Sequence, residues 1–336
     1  MRSLGARLAA GLGGNIMRVL IRLCLALIMF GVCGRAGFAA FPDRAIHIVV
    51  PFPPGGPVGV VAHIVAPRLA ERLGQSVNID NVAGDDGIKG SDLVAKAPPD
   101  GYTLLLASST HTIHPGTYSK LPFDTEKAFG PVSLLVASQL ILVVNPSMPV
   151  DSVEELIAYA KNYPGKLRYA SGGLGGPTQL AFELFKITTG VDITHAPYDG
   201  GAAALEAVAG DKAQVMLAPI ITALPMIHDS RLRGIAVSGA HHAPAAPDLP
   251  TIAETLPGFT AIAWFGVLAP SGTPTAVINR LSAEFDHIVH EPDTVKQFAA
   301  LGGEPVGGSP ATFAALIRAE IPKWIRVAKE AGIHIE

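Results

Sequence analysis

Two copies of a Gly-Gly-Pro tripeptide are the residues of this chain best suited to holding a ligand. Gly55-Gly56-Pro57 follows the apolar run 46–52, and Gly175-Gly176-Pro177 follows 166–171, about 120 residues later. Each leads into a helical pattern: Val61, Val65, Leu69 and Leu73 after the first, Leu180, Leu184 and Phe185 after the second. Apolar strand, glycine turn and amphipathic helix together make an α/β unit. Proline suits the first helical position, where no N–H is needed and φ is already helical. The next N–H groups have no partner inside the helix and stand at the positive end of its dipole, so each turn can take an anion. A side chain at Gly56 would fill the space that anion needs, or demand a forbidden φ. Two such turns facing across a cleft would hold a small acid by both ends.

Other chemistries have weaker signatures. Gly173-Leu174-Gly175 lacks the third glycine of a dinucleotide-binding turn, and no Gly-Lys-Ser/Thr phosphate loop occurs. Ser171 stands near a strand–helix elbow, but Tyr-Ala-Ser-Gly-Gly is not Gly-x-Ser-x-Gly, and the sequence pairs no base with it. A hydrolase is therefore the lesser alternative, and the chain is read as a non-enzyme. His111 with His114, and His241 with His242, complete no ligand set; they read as loop histidines, solvated or locally hydrogen-bonded, so neither metal nor cofactor is expected. Ser108, Ser109 and Thr110 stand at the carboxyl end of the apolar strand 102–107, where α/β proteins place ligand-binding residues. Tyr198 at another strand end reads as a cleft wall, Asp199 as a helix cap or a partner for a ligand cation, and Trp264 as core or hinge packing.

The elements that must position these residues fill a chain of 336, enough for two domains. The first 39 residues read as a secretory signal peptide: Arg2, Arg7, Arg18 and Arg22, then the apolar run 23–32, then Gly37 and Ala39 before a cleavage site. Both cysteines, Cys24 and Cys33, leave with it, so the mature chain carries no thiol or disulfide. Five arginines and no acid also leave, which lowers the formal net charge from −3 by five and argues against nucleic acid as a partner. Beyond the leader, strands and helices alternate. Residues 132–145 are too long for one ordinary strand and are read as two, with a crossing between domains near Ser138. From 149 a second series begins, with strands at 169, 193–198, 213–218 and 232–238. Residues 263–269 return the chain to the first domain, and the remainder reads as helices at 274–290, 293–301 and 310–331. The domains are thus 40–138 with 262–336, and 139–261.

The motifs in series carry a family likeness: Phe41-Pro42-Asp43-Arg44, Val50-Pro51-Phe52-Pro53-Pro54-Gly55-Gly56-Pro57, Pro99-Asp100-Gly101-Tyr102-Thr103-Leu104, Tyr169-Ala170-Ser171-Gly172, Pro197-Tyr198 and Ala263-Trp264-Phe265-Gly266. The chain resembles the substrate-binding proteins of tripartite tricarboxylate transporters, the Bug receptor family, over residues 41–333. The resemblance implies a type II periplasmic binding protein: two α/β domains joined by crossing strands, with the ligand cleft between them. It implies a monomer in the periplasm that captures a small organic carboxylate and delivers it to integral membrane permease subunits; presentation of the ligand to a signalling partner is the alternative. It places the ligand at two segments whose backbone N–H groups take the carboxylate: Phe52 to Pro57, with Phe52, Pro53, Gly55, Gly56 and Pro57 as contacts, and Ser171 to Thr178, with Ser171, Gly172, Gly175, Gly176 and Thr178. Three positions depart from the family pattern: Gly59 and Ala218, where members often have Asp, and Gln179, where they often have His. Losing two acidic side chains removes partners for an ammonium, whose unpaired burial is costly. With Ala218, Pro219, Ile220 and Tyr198 as an apolar middle, a mono- or dicarboxylate without an ammonium is expected.

Overall fold

The computed structural model describes residues 41–335. The leader read at 1–39, with both cysteines, lies outside the described residues. The first series begins with β1 (Ile46–Val50), pairing in parallel with β2 (Val77–Asn81) and β3 (Thr103–Ser108). β1 is Ile-His-Ile-Val-Val, with every residue but His47 buried, as a strand covered on both faces requires. Between these strands run α1 (Pro57–Leu73) and α2 (Ile88–Ala95), and α3 (Thr110–Thr117) follows β3. α1 turns Val58, Val61, Val65 and Leu69 to the core.

The stretch expected as two strands is one, β4 (Phe129–Val144), of 16 residues. Its two halves have different partners. Up to Gln139 it pairs antiparallel with β9 (Ile262–Pro270), and up to Ser138 with β10 (Gly303–Gly307). From Leu140 it pairs with β7 (Val215–Pro219), and from Ile141 with β8 (Arg233–Val237). What was expected as a crossing near Ser138 is an exchange of partners along an unbroken strand. No glycine or proline interrupts 132–144, so nothing in the backbone forces a break.

The second series holds α4 (Val153–Asn162), β5 (Arg168–Ser171), α5 (Pro177–Thr189), β6 (Thr194–Pro197), α6 (Gly201–Ala209) and α7 (Ile220–His228). Ser152 caps α4, its side chain accepting from the Glu155 N–H. α8 (Ile252–Thr255), α9 (Thr275–Val289), α10 (Pro292–Ala300) and α11 (Pro310–Glu330) complete the described chain. The sheet order is β2-β1-β3-β9-β4-β7-β5-β6, with β8 and β10 also on β4. β10 falls where only helices were expected: Gly-Glu-Pro-Val-Gly has almost no strand propensity, and its Pro305 is tolerated because β10 pairs with β4 alone.

α11 joins the packing of both series. Phe313 and Ile317 pack with Trp264 and Leu268, while Trp324, Val327 and Ala328 pack with Tyr169, Phe182 and Phe185. Trp264 is fully buried and meets Phe313 edge-on at 5.3 Å, so it is core, as expected. Each such aromatic stabilises the fold by about 2 kcal/mol through burial alone.

Candidate functional site

The two glycine turns are local copies of one another. Gly56 caps α1 with φ −76 and ψ 167, and Gly176 caps α5 with φ −80 and ψ 168; each is followed by proline, and neither helix has a side-chain cap. The first helical bonds are also matched, from the Val60 N–H to the Gly56 carbonyl at 3.0 Å and from the Leu180 N–H to the Gly176 carbonyl at 3.1 Å. Val58 and Gly59, and Thr178 and Gln179, therefore lie in first turns whose N–H groups have no intrahelical partner. The positive φ belongs to the preceding residues, Gly55 (+86) and Gly175 (+70), and not to Gly56. Gly56 is thus needed for space and not for a forbidden φ, which corrects that part of the expectation. A Cβ on Gly56 would meet only the Pro53 carbonyl oxygen, at 3.7 Å, and one on Gly176 nothing within 4 Å.

A cavity of about 500 Å³ opens at the first turn. Phe52, Pro53, Pro54, Gly56, Pro57 and Val58 form one side, Ser108, Ser109 and Thr110 another, Ala263 and Phe265 of β9 a third, and Pro177 brings in the second turn. Its size is within the range of small-molecule sites. None of its lining residues is charged, and serine and threonine hydroxyls and backbone are the polar groups. Ser108 and Thr110 share a hydrogen bond of 2.8 Å, and the Ser109 N–H donates to the Trp264 carbonyl at 3.0 Å, which ties the floor to β9.

Of the expected site residues, Phe52, Pro53, Gly56, Pro57, Ser108 and Ser109 line this cavity. Gly55, Ser171, Gly172, Gly175, Gly176, Thr178, Tyr198, Asp199, Ala218 and Pro219 are not in its wall. Gly55 belongs to the first turn, beside Gly56, while Ser171, Gly172, Thr178 and Tyr198 lie together at the second. The Tyr198 N–H donates to the Ser171 carbonyl at 3.0 Å, and a Cβ on Gly172 would come within 3.0 Å of the Gly201 nitrogen. Tyr198 is half-buried, packed against a core that includes the fully buried Ala218, and Asp199 is exposed. Thr110 lines the cavity beside Ser108 and Ser109, as its place at the strand end suggested, whereas Ala263 and Phe265 were not singled out as contacts. Residues 263 and 265 alternate with the buried Trp264, and that period of two was the available signal.

The structure brings His195 to Ser171, with Nε2 2.6 Å from Oγ, a pairing the sequence did not reveal. It is not a nucleophile–base pair, because Ser171 Oγ also donates to the Gly173 carbonyl at 2.9 Å and its proton is directed there. His111 and His114 also differ from expectation. They lie in α3 and not in loops, and both are buried. Burial and the neighbouring His114 push His111 down to about 3, so its ring is neutral. Among the described residues no three His, Cys, Asp or Glu side chains converge as a metal site, and no helix is long and apolar enough to cross a membrane.

Comparison with known proteins matches this geometry to a family. Residues 61–333 match the model of the tripartite tricarboxylate transporter family receptor. BugT of Bordetella pertussis is 34% identical over 96% of this chain and the whole of that protein. An R. palustris protein solved with adipate is 36% identical, covers 88% of this chain and 100% of its own, and superposes with a TM-score of 0.73. MatC from Rhodopseudomonas palustris, solved with malate, is 30% identical over 86% of this chain and 100% of its own, with a TM-score of 0.69. On the family match over residues 61–333 and the 34% identity with BugT, the chain belongs to the tripartite tricarboxylate transporter receptor family, whose members bind solutes and are not enzymes.

Proposed function

We propose that this protein captures a small organic carboxylate with an apolar body and no ammonium group, and hands it to the membrane permease of a tripartite tricarboxylate-type transporter. The observation that carries this reading is the cavity bounded by one helix N-terminus and by the proline that starts the other, with no charged side chain in its wall. A carboxylate suits the N–H groups of such turns. An ammonium would be desolvated there without a partner, which is costly. The prolines, Phe52 and Phe265 favour methylenes or a ring over a densely hydroxylated acid. Relatives solved with adipate and malate support the carboxylate class.

The remaining parts belong to the same proposal. Residues 1–39 direct the protein to the periplasm and are removed, and the mature receptor works as a monomer. Its domains are 40–138 with 262–336, and 139–261, hinged where β4 exchanges partners at Ser138–Leu140 and in the return segment before β9. Closure brings Ser171, Gly172, Gly175, Gly176, Thr178, Tyr198, Asp199, Ala218 and Pro219 toward the acid already held by Phe52, Pro53, Gly55, Gly56, Pro57, Ser108 and Ser109. A thermal-shift screen of aliphatic, aromatic and amino acids tests the reading. A ligand at a hundredfold its Kd stabilises by about 2.7 kcal/mol, a plain shift in Tm. Response to acids without an ammonium is expected; response to zwitterions alone contradicts it.

A further inference from the structure

The second glycine turn is held by a closed ring of hydrogen bonds whose proton positions can be deduced. The Gly175 N–H can only donate, and it lies 2.6 Å from Gln179 Oε1. That fixes the amide orientation, so Gln179 Nε2 is the atom 3.2 Å from His195 Nδ1 and donates to it. Nδ1 therefore carries the lone pair, and the neutral ring holds its proton on Nε2. Nε2–H, 2.6 Å from Ser171 Oγ, donates to it, and Ser171 passes its own proton to the Gly173 carbonyl at 2.9 Å. The ring starts at the Gly175 N–H and ends at the Gly173 carbonyl, two residues apart on one turn. Thr178 adds a further tie, its Oγ1 accepting from the Gly172 N–H at 3.2 Å.

His195 is the member that can change charge. Tyr169 of β5 stacks on its ring at 4.7 Å and donates its hydroxyl to Glu183. Glu183 and Lys186 of α5 are the charged groups acting on it, and they pair with one another at 3.0 Å. A second proton would sit on Nδ1, facing the Gln179 NH₂, donor against donor. Flipping the amide would set that NH₂ against the Gly175 N–H instead. Either arrangement loses a bond of the ring.

We propose that neutral His195 is the positioning residue of the second turn: through Gln179 and Ser171 it holds 171–176 in the shape that presents Pro177 and the α5 N-terminus to the ligand, and protonating it loosens the turn and weakens carboxylate binding. The binding consequence rests on the carboxylate reading above; the positioning does not. Burial already holds the His195 ring below its ordinary proton affinity, in keeping with a neutral working form. The sign is diagnostic, because a histidine acting only by its charge would bind an anion more tightly when protonated.

The test uses the full mature protein. Nitrogen-15 NMR without ligand should show the Nε2–H tautomer, and the Gly173 and Gly175 amide signals should titrate with the ring. Calorimetry with adipate should show affinity falling from about pH 7.5 to about pH 5 by about tenfold more than protonation of the acid's own carboxyls accounts for, the effect of one lost hydrogen bond. His195→Gln keeps a donor for Ser171 but cannot titrate, so it should show only the smaller fall that the acid's own protonation causes. An Nδ1–H tautomer, glycine amides indifferent to the ring, or tighter adipate binding in acid would each overturn the proposal. If the amides follow the ring but adipate binds at neither pH, the positioning role is supported and the choice of acid is what fails.

Discussion

Gly56 and Gly176 hold the same backbone conformation to within a few degrees, each as the cap of a proline-led helix, yet only Gly56 lies in the wall of the ligand cavity. The second turn reaches that wall through Pro177 alone. One local design is thus used in two settings, and the difference between them is open to mutation.

Gly56→Val should keep the fold and lose the ligand. Its φ of −76 is open to any residue, and its Cβ would meet only the Pro53 carbonyl oxygen, at 3.7 Å. Valine methyls would then occupy the approach to the helix N-terminus. We expect a Tm within a few degrees of wild type and adipate affinity reduced at least about a hundredfold, roughly the loss of two charge-assisted hydrogen bonds. Gly55→Val is the contrast: at φ +86 it should cost about 1–2 kcal/mol of stability, seen in denaturant unfolding.

Gly59→Asp should exchange one carboxylate for another. A Cβ at Gly59 meets nothing within 4 Å, and the residue lies in the first turn of α1, where an acid gains about 0.3–1 kcal/mol from the helix dipole. Its carboxylate would take the N–H groups meant for the ligand. An unchanged or slightly raised Tm together with loss of acid binding by calorimetry is the expected pair of results.

His111 sets part of the acid limit of stability. Its ring is held to about 3, well under the ordinary 6.5, by burial and by His114. The unfolded chain therefore binds this proton first. The contribution is complete above about pH 6.5 and is lost as pH falls toward 3, with a ceiling on the order of 5 kcal/mol. His111→Phe, placed between Phe123 and Phe129, should flatten the decline of Tm between about pH 6.5 and pH 4.

Much of the fold was legible because its signals are local. Glycine turns, proline starts and apolar periodicity located α1, α5 and the strands before them. The continuity of β4 was not legible: its length argued for two strands, and only the partners on either side of Ser138–Leu140 keep it whole. β10 and α3 were missed for the same reason, since Gly-Glu-Pro-Val-Gly and Thr-His-Thr-Ile-His-Pro-Gly-Thr carry weak propensities that tertiary contacts override. At the site, the turn around Gly56 could be read from sequence, whereas the ring through Gln179 and His195 joins residues 16 apart in the chain and needed coordinates.

Binding of an acid without an ammonium partner is best examined by pairing each candidate acid with its α-amino analogue. Adipate with 2-aminoadipate, glutarate with glutamate, succinate with aspartate and 3-phenylpropionate with phenylalanine differ, pair by pair, in that one group. Calorimetric Kd values at neutral pH should favour the acid in whichever pair binds, by at least about tenfold, since desolvating an unpaired ammonium costs more than 1.4 kcal/mol. An amino analogue that binds as tightly as its acid, or more tightly, would mean that the site pairs the ammonium, and would make the exposed Asp199 the first residue to mutate.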